Sequence, residues 1–277
     1  MNYSHPCQDW QPIWPGSLRI AVVMEVLGGR IRPNTLYLVP LAREFPKTIW
    51  PCAELYFRAQ YGWSSPLKIL AVSDVVVDRL YSAQTAEHLR DVDIILGCGD
   101  LPYEYLEFLV SVLNVPLLYV PGNHDPQYDE QNPSARADGC DILDQRVTRV
   151  KGLNMAGLGG SIRYKPVPPN QYTQTEMYLR VISFLPKLLK QRVQTGGVLD
   201  IMIAHSPPRG IHDDNDPAHV GFLAFRDFIR VFKPRYFLHG HALVYKGNLL
   251  PPVTQMGVTT VINVYPYRLL EVEPHVR

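Results

Sequence analysis

Three stretches of this chain, KILAVSD, VDIILGCGD and PLLYVPGNHD, are apolar on consecutive residues and then stop at glycine and at side chains able to bind metal ions. Uninterrupted runs of Val, Ile and Leu suit strands covered on both faces, because a strand with one wet face would alternate polar and apolar residues. Helical spacing fills the intervals at residues 102–113 and 176–191, and Pro186 is expected to bend the second of these helices. Two further apolar runs, 199–204 and 236–238, again finish at histidines, and residues 221–231 carry helical spacing. Residues 259–264 and 268–272 read as closing antiparallel strands. The alternation predicts an α/β domain over residues 67–277.

Residues 1–66 break the pattern. They are rich in Pro, Trp and Tyr and read as an N-terminal extension, with short strands expected at 19–26 and 35–41 around Gly28-Gly29. The chain has 27 basic and 26 acidic side chains, a net charge of +1, and no basic stripe interleaved with aromatics. Nothing electrostatic therefore calls for a nucleic-acid or membrane partner. The N-terminus lacks a basic start and apolar run, and no stretch approaches the ~20 apolar residues of a spanning helix, so the expected location is cytoplasmic. Cys7, Cys52, Cys98 and Cys140 stand far apart with no C-x-x-C pair, which predicts free, mostly buried thiols.

The side chains that follow the apolar runs are Asp74, Asp100, Asn123, His124, His205 and His241. Carboxyl ends of parallel strands share one edge of a sheet, so separate pieces of sequence converge there on a single crevice. Any one of these residues alone is weak. As a set, mixed Asp, Asn and His donors suit a hard-to-borderline divalent cation. Gly99, Gly122 and Gly240 precede the donors and allow close backbone approach or positive φ.

Gly99-Asp100, Gly122-Asn123-His124-Asp125, His205 and Gly240-His241, in that order, resemble the calcineurin-like metallophosphoesterases over residues 67–277. The resemblance implies a four-layer α/β/β/α sandwich with a two-metal site at the strand ends. It implies hydrolysis of small phosphate mono- or diesters by in-line attack of metal-bound hydroxide, with Mn, Fe or Zn as the cation. Carried across by position, Asp74 belongs to the first metal and Asp100 bridges both. Asn123, His205 and His241 complete the second. His124 becomes the catalytic side chain beside the scissile phosphate, with Asp125 hydrogen-bonded to its ring.

Two departures bear on the first metal. Where the family has Asp-x-His this chain has Asp74-Val75-Val76, and where it has Gly-His-x-His this chain has Gly240-His241-Ala242-Leu243. The expectation is one strong site, a weak or absent second one, and reduced turnover. The alternative is an inactive relative that binds a nucleotide or a protein. His239 and His241 offer the usual pair in another register, and Asp78, His212, Asp213, Asp216 or His219 are candidates to refill the first site. His212, His219 and His239 are also candidate substrate contacts.

Overall fold

A computed structural model describes residues 26–27, 30–31, 65–127, 131, 135–166, 169–242 and 252–274. The chain divides into two compact units, Met1–Ser64 and Ser65–Arg277. In the first, β1 (Val26–Leu27) pairs antiparallel with β2 (Arg30–Ile31), Val26 opposite Ile31. Only Gly28 and Gly29 separate them, so the pairing is tighter than strands at 19–26 and 35–41 would give. Residues 19–25 and 35–41 lie outside the described residues.

The second unit begins β3 (Leu67–Val72), α1 (Thr85–His88), β4 (Ile94–Gly97), α2 (Tyr103–Leu113), β5 (Leu117–Tyr119), β6 (Asp141–Ile142), β7 (Val147–Val150), β8 (Leu153–Leu158). It continues with β9 (Ser161–Ile162), β10 (Gln171–Tyr172), α3 (Gln174–Thr195), β11 (Ile201–Ala204), α4 (Leu223–Phe232) and β12 (Tyr236–His239). It closes with β13 (Val253–Met256), β14 (Thr259–Asn263) and β15 (Tyr267–Val272). One sheet has the order β15-β3-β4-β5-β6 and the other β13-β14-β12-β11-β8-β7. Their central strands are parallel, and β15, β13 and β7 are antiparallel additions.

The consecutive apolar runs are explained by what covers each face. Along β3 and β4, Ile69, Ala71, Ile94 and Leu96 face Met155, Ile201, Ile203, Leu238 and Ile262 of the opposite sheet. Their sequence neighbours Leu70, Val72 and Ile95 point the other way, onto Tyr105, Leu106 and Leu109 of α2. On the far side, Ala156, Met202 and Phe237 meet Met177 and Phe184 of α3 and Phe225 and Phe228 of α4. Both faces of the central strands are therefore dry, and the layers run helix, sheet, sheet, helix.

Two readings of the sequence need correction. Residues 259–264 are antiparallel only to β13; β14 runs parallel to β12, because the unanticipated β13 occupies the sheet edge. Helix α3 contains Pro186 and extends beyond 176–191 at both ends. Thr173 Oγ1 accepts from Glu176 N while the Glu176 carboxylate accepts from Thr173 N, and Gly196 ends the helix in the left-handed region at φ 58°. Cys7 and Cys52 lie outside the described residues; Cys98 is buried and Cys140 half-buried, both free thiols. Among the described residues no helix is long and apolar enough to cross a membrane.

Leu238 is fully buried between the two sheets. Leu238→Ala is expected to lower unfolding free energy by about 3 kcal/mol in urea titration. A loss under ~1 kcal/mol would show that the sheets do not pack closely there.

Candidate metal centre

Five of the parallel strands each deliver a polar side chain just past the carboxyl end. Asp74 follows β3, Asp100 follows β4, Asn123 follows β5, His205 follows β11 and His241 follows β12. One donor atom from each of Asp74, Asp100, His205 and His241 lies within 4.8 Å of the others. Asn123 joins them, with Oδ1 3.1 Å from His205 Nε2.

The backbone is distorted to achieve this convergence. Asp74, Asp100 and His241 hold φ of 66°, 57° and 55°, a left-handed region that costs an L-residue ~1 kcal/mol or more each. Glycine is required beside them for lack of room. A methyl group on Gly122 would overlap Asp100 Oδ1, and one on Gly240 would overlap Ser73 Oγ and Asp74 Oδ2. The GN and GH pairs thus mark places where backbone presses against a carboxylate.

His205 is completely buried and fully wired. Its Nδ1 lies 2.8 Å from the Cys98 carbonyl, which accepts that proton and leaves Nε2 facing Asn123 Oδ1 and, at 3.3 Å, Asp100 Oδ2. In the neutral ring Nε2 is a lone pair, as cation ligation demands. Without a cation the ring is better charged: burial opposes this, but the neighbouring Asp100 carboxylate outweighs it and raises the pKa to about 9. Burial likewise pushes Asp100 up, yet the His205 charge holds it below the usual carboxylate range. Burial raises Asp74, and burial followed by the His205 charge lowers His241. An imidazolium here stands in for positive charge that two half-buried carboxylates require. Carboxylate oxygens, an amide oxygen and imidazole nitrogens around one point fit a divalent cation.

Asp125 departs from the role the resemblance implies. Its Oδ2 accepts from the backbone amides of Asp100 at 2.8 Å and Gly122 at 2.7 Å, and among the described residues no hydrogen bond joins it to the His124 ring. Burial raises its pKa to about 6. The His124 amide in turn donates to Asp100 Oδ1 at 2.7 Å, while its side chain is 66% exposed with Nε2 4.0 Å from Asp100 Oδ2. Asp125 thus ties two ligand loops together, and His124 stands at the rim.

The candidate substrate contacts separate. His212 and His239 are buried against each other: His212 Nδ1 lies 2.8 Å from His239 Nε2, His212 Nε2 lies 2.8 Å from Thr254 Oγ1, and His239 Nδ1 lies 2.9 Å from Gly240 O. All four ring nitrogens are used within the protein, and burial lowers the pKa of His212 to about 4 and His239 to about 3. Neither presents a donor to a ligand. His219 remains at the surface, hydrogen-bonded to Asp216, with its ring 5.0 Å from that of His241. Asp213 accepts from Gly210 and Gly221 amides and from Arg209, and Asp78 is exposed. None of Asp78, His212, Asp213, Asp216 and His219 belongs to the four-residue donor cluster. Three contributors had no sequence signal: Ser73 Oγ donates to Asp74 Oδ2 at 2.5 Å, the Tyr164 hydroxyl lies 3.2 Å from Asn123 Nδ2, and the Ala218 carbonyl accepts from His241 Nε2 at 2.7 Å.

Residues 67–245 match the family model described as calcineurin-like phosphoesterase. The uncharacterized protein MJ1162 of Methanocaldococcus jannaschii is 27% identical over 188 residues, covering 63% of this chain and 78% of that protein. One solved crystal structure superposes with a TM-score of 0.51 at 17% identity, covering 74% of this chain and 95% of the other. TT1561 of Thermus thermophilus gives a TM-score of 0.47 at 18% identity, covering 72% and 89%. At 17% identity the first of these two likenesses is one of fold alone.

The His205 charge sets a pH dependence. Its stabilising contribution is complete below about pH 6.5, the unperturbed value, and is lost as pH rises through about 9. The melting midpoint of metal-free protein should fall across that window. Saturating Mn²⁺ should reverse the slope, since ligation needs the neutral ring. A metal-free midpoint that is flat from pH 6.5 to 9 would contradict the assignment. Asp125→Ala leaves two amides unpaired, and should cost roughly 1–3 kcal/mol in chemical unfolding; no loss would mean the loops hold without it.

Proposed function

We propose that this chain, which belongs to the calcineurin-like phosphoesterase family, hydrolyses small phosphate mono- or diesters with a divalent cation held by Asp100, Asn123, His205 and His241. The family is one of dinuclear metal-dependent phosphoester hydrolases. The observation that carries the reading is the convergence of Asp74, Asp100, His205 and His241 donors within 4.8 Å. Mn, Fe or Zn would suit this donor set. Such a cation supplies a Lewis acid for phosphoryl oxygens and lowers the pKa of water.

The chain's own residues divide the remaining work. Asp74 and Asp100 bring negative charge that a cation neutralises, and Asp125 keeps the Asp100 and Asn123 loops in register through two amides. His124, exposed at the rim with its amide fixed on Asp100, would give a proton to the leaving oxygen. His219 stands next to His241 on the opposite loop and is a candidate contact for phosphate oxygens.

Turnover is proposed to be low, because a single tightly held cation lacks the symmetric clamp on attacking and leaving oxygens. One observation favours the alternative, a relative that binds a nucleotide or protein without turnover. Val76, where the family has histidine, packs against the apolar cluster of Leu70, Val72 and Tyr105. Leu243, at the other departure, lies outside the described residues.

Release of p-nitrophenol from its phosphate monoester and its bis-ester, with Mn²⁺ present, tests the reading. Mn²⁺-dependent turnover is expected, falling at least about 100-fold in His241→Ala. His124→Ala should keep Mn²⁺ binding and lose roughly 10²-fold or more in rate. Background rates on both esters by a chain that binds Mn²⁺ would reject hydrolysis and favour the binding reading.

A further inference from the structure

We infer that Asn170 is a positioning residue for the metal centre: its side-chain amide pins the far end of the loop at residues 122–125 and so holds Asn123 in place as a ligand. The inference rests on the reading of the centre proposed above. Residues 120–126 follow β5 and carry Asn123, His124 and Asp125. Two ties join them to the Asp100 loop: the Asp125 carboxylate takes the Asp100 amide, and the His124 amide donates to Asp100 Oδ1. Pro121 and Pro126 have no N–H to give, so further anchoring at either end of the loop has to use carbonyl oxygens.

One short ribbon meets those carbonyls at both ends. The Gly160 amide donates to the Pro121 carbonyl at 2.8 Å. Asn170 Nδ2 donates to the Asp125 carbonyl at 3.0 Å and lies 3.4 Å from the Pro126 carbonyl. Gly160 and Asn170 are themselves joined, because the Ser161 amide donates to the Asn170 carbonyl at 3.0 Å and β9 pairs with β10, Ser161 opposite Gln171. Asp125 is thus held twice, its side chain on the Asp100 and Gly122 amides and its main chain on Asn170. Without the second hold, the peptides after Asn123 are free to swing about the first.

The chemistry fixes which way round the Asn170 amide sits. Two carbonyl oxygens face it, and only the NH₂ group can meet them, since Oδ1 in that place would set acceptor against acceptor. Asn170 is buried and its backbone holds φ of 50°, a left-handed conformation that Asn tolerates better than most side chains. Gly160, at φ 89°, leaves no room for a methyl group beside the Asn170 carbonyl. Spacing in the sequence does not mark Asn170, which lies 45 positions after Asp125 and outside every motif.

Calorimetric titration of the full chain with Mn²⁺ tests the inference. Asn170→Gly removes the donor while suiting the left-handed backbone. It should weaken Mn²⁺ binding about tenfold and lower the metal-free melting midpoint by no more than about 4 °C, the effect of one lost hydrogen bond. A chain that stays folded keeps its Kd unless the loop has moved, so a purely structural role predicts an unchanged Kd. Asn170→Asp keeps the volume, sets an acceptor against both carbonyls, and should weaken binding at least as much. In an Asn123→Ala background the loop has no ligand left to position, and there Asn170→Gly should change the Kd less than about twofold. The inference is overturned by a Kd within twofold of the unaltered chain, by equal losses in both backgrounds, or by a midpoint that falls more than about 8 °C in both Asn170 variants, the mark of general support to the fold. Failure of the unaltered chain to bind Mn²⁺ would instead overturn the reading of the centre itself.

Discussion

Two half-buried carboxylates held side by side, Asp74 and Asp100, are the constraint around which this end of the molecule is organised. Like charges removed from water repel each other and lose hydration, so the fold must supply compensation. It does so with main-chain amides, the Ser73 hydroxyl and the buried His205 ring. Amides and a hydroxyl cannot replace a cation, and His205 does so only while protonated. The glycines, the left-handed residues and the Asp125 clamp all serve to keep these charges at one point instead of letting them relax into solvent.

The two-sheet architecture makes that concentration possible. Parallel strands from both sheets end at the same rim, and each is buried on both faces, so their ends are held by packing rather than by the loops themselves. Loops anchored this way tolerate strained φ values that a free loop would relax. The asymmetry of the donor set follows from the same geometry. Donors from β4, β5, β11 and β12 are intact, while Val76 after β3 is drawn into the apolar layer beneath α2. On the function proposed above, a centre built mainly around one cation would follow from that loss.

What the sequence could disclose was set by how local each signal is. Apolar runs announced doubly covered strands because strand burial is written in consecutive residues. GNHD and GH announced the rim because close approach to a carboxylate admits only glycine. Partner choice was not legible. Asp125 turns to the amides of Asp100 and Gly122, and His212 and His239 satisfy each other in the interior, because these choices depend on which loops fold against one another. Edge strand β13 and the Tyr164 hydroxyl escaped for the same reason: neither carries a motif, and both owe their roles to neighbours distant in sequence. The capping box at Thr173 and Glu176 was written in the sequence as T-x-x-E and would have fixed the start of α3.

The central claim is that side chains from five strand ends grip a divalent cation together. Crystals grown with manganese and measured at its absorption edge test it most directly. The account predicts an anomalous peak bounded by Asp100, Asn123, His205 and His241, within reach of Asp74. A well-ordered map with those side chains in place and no anomalous signal among them would contradict it.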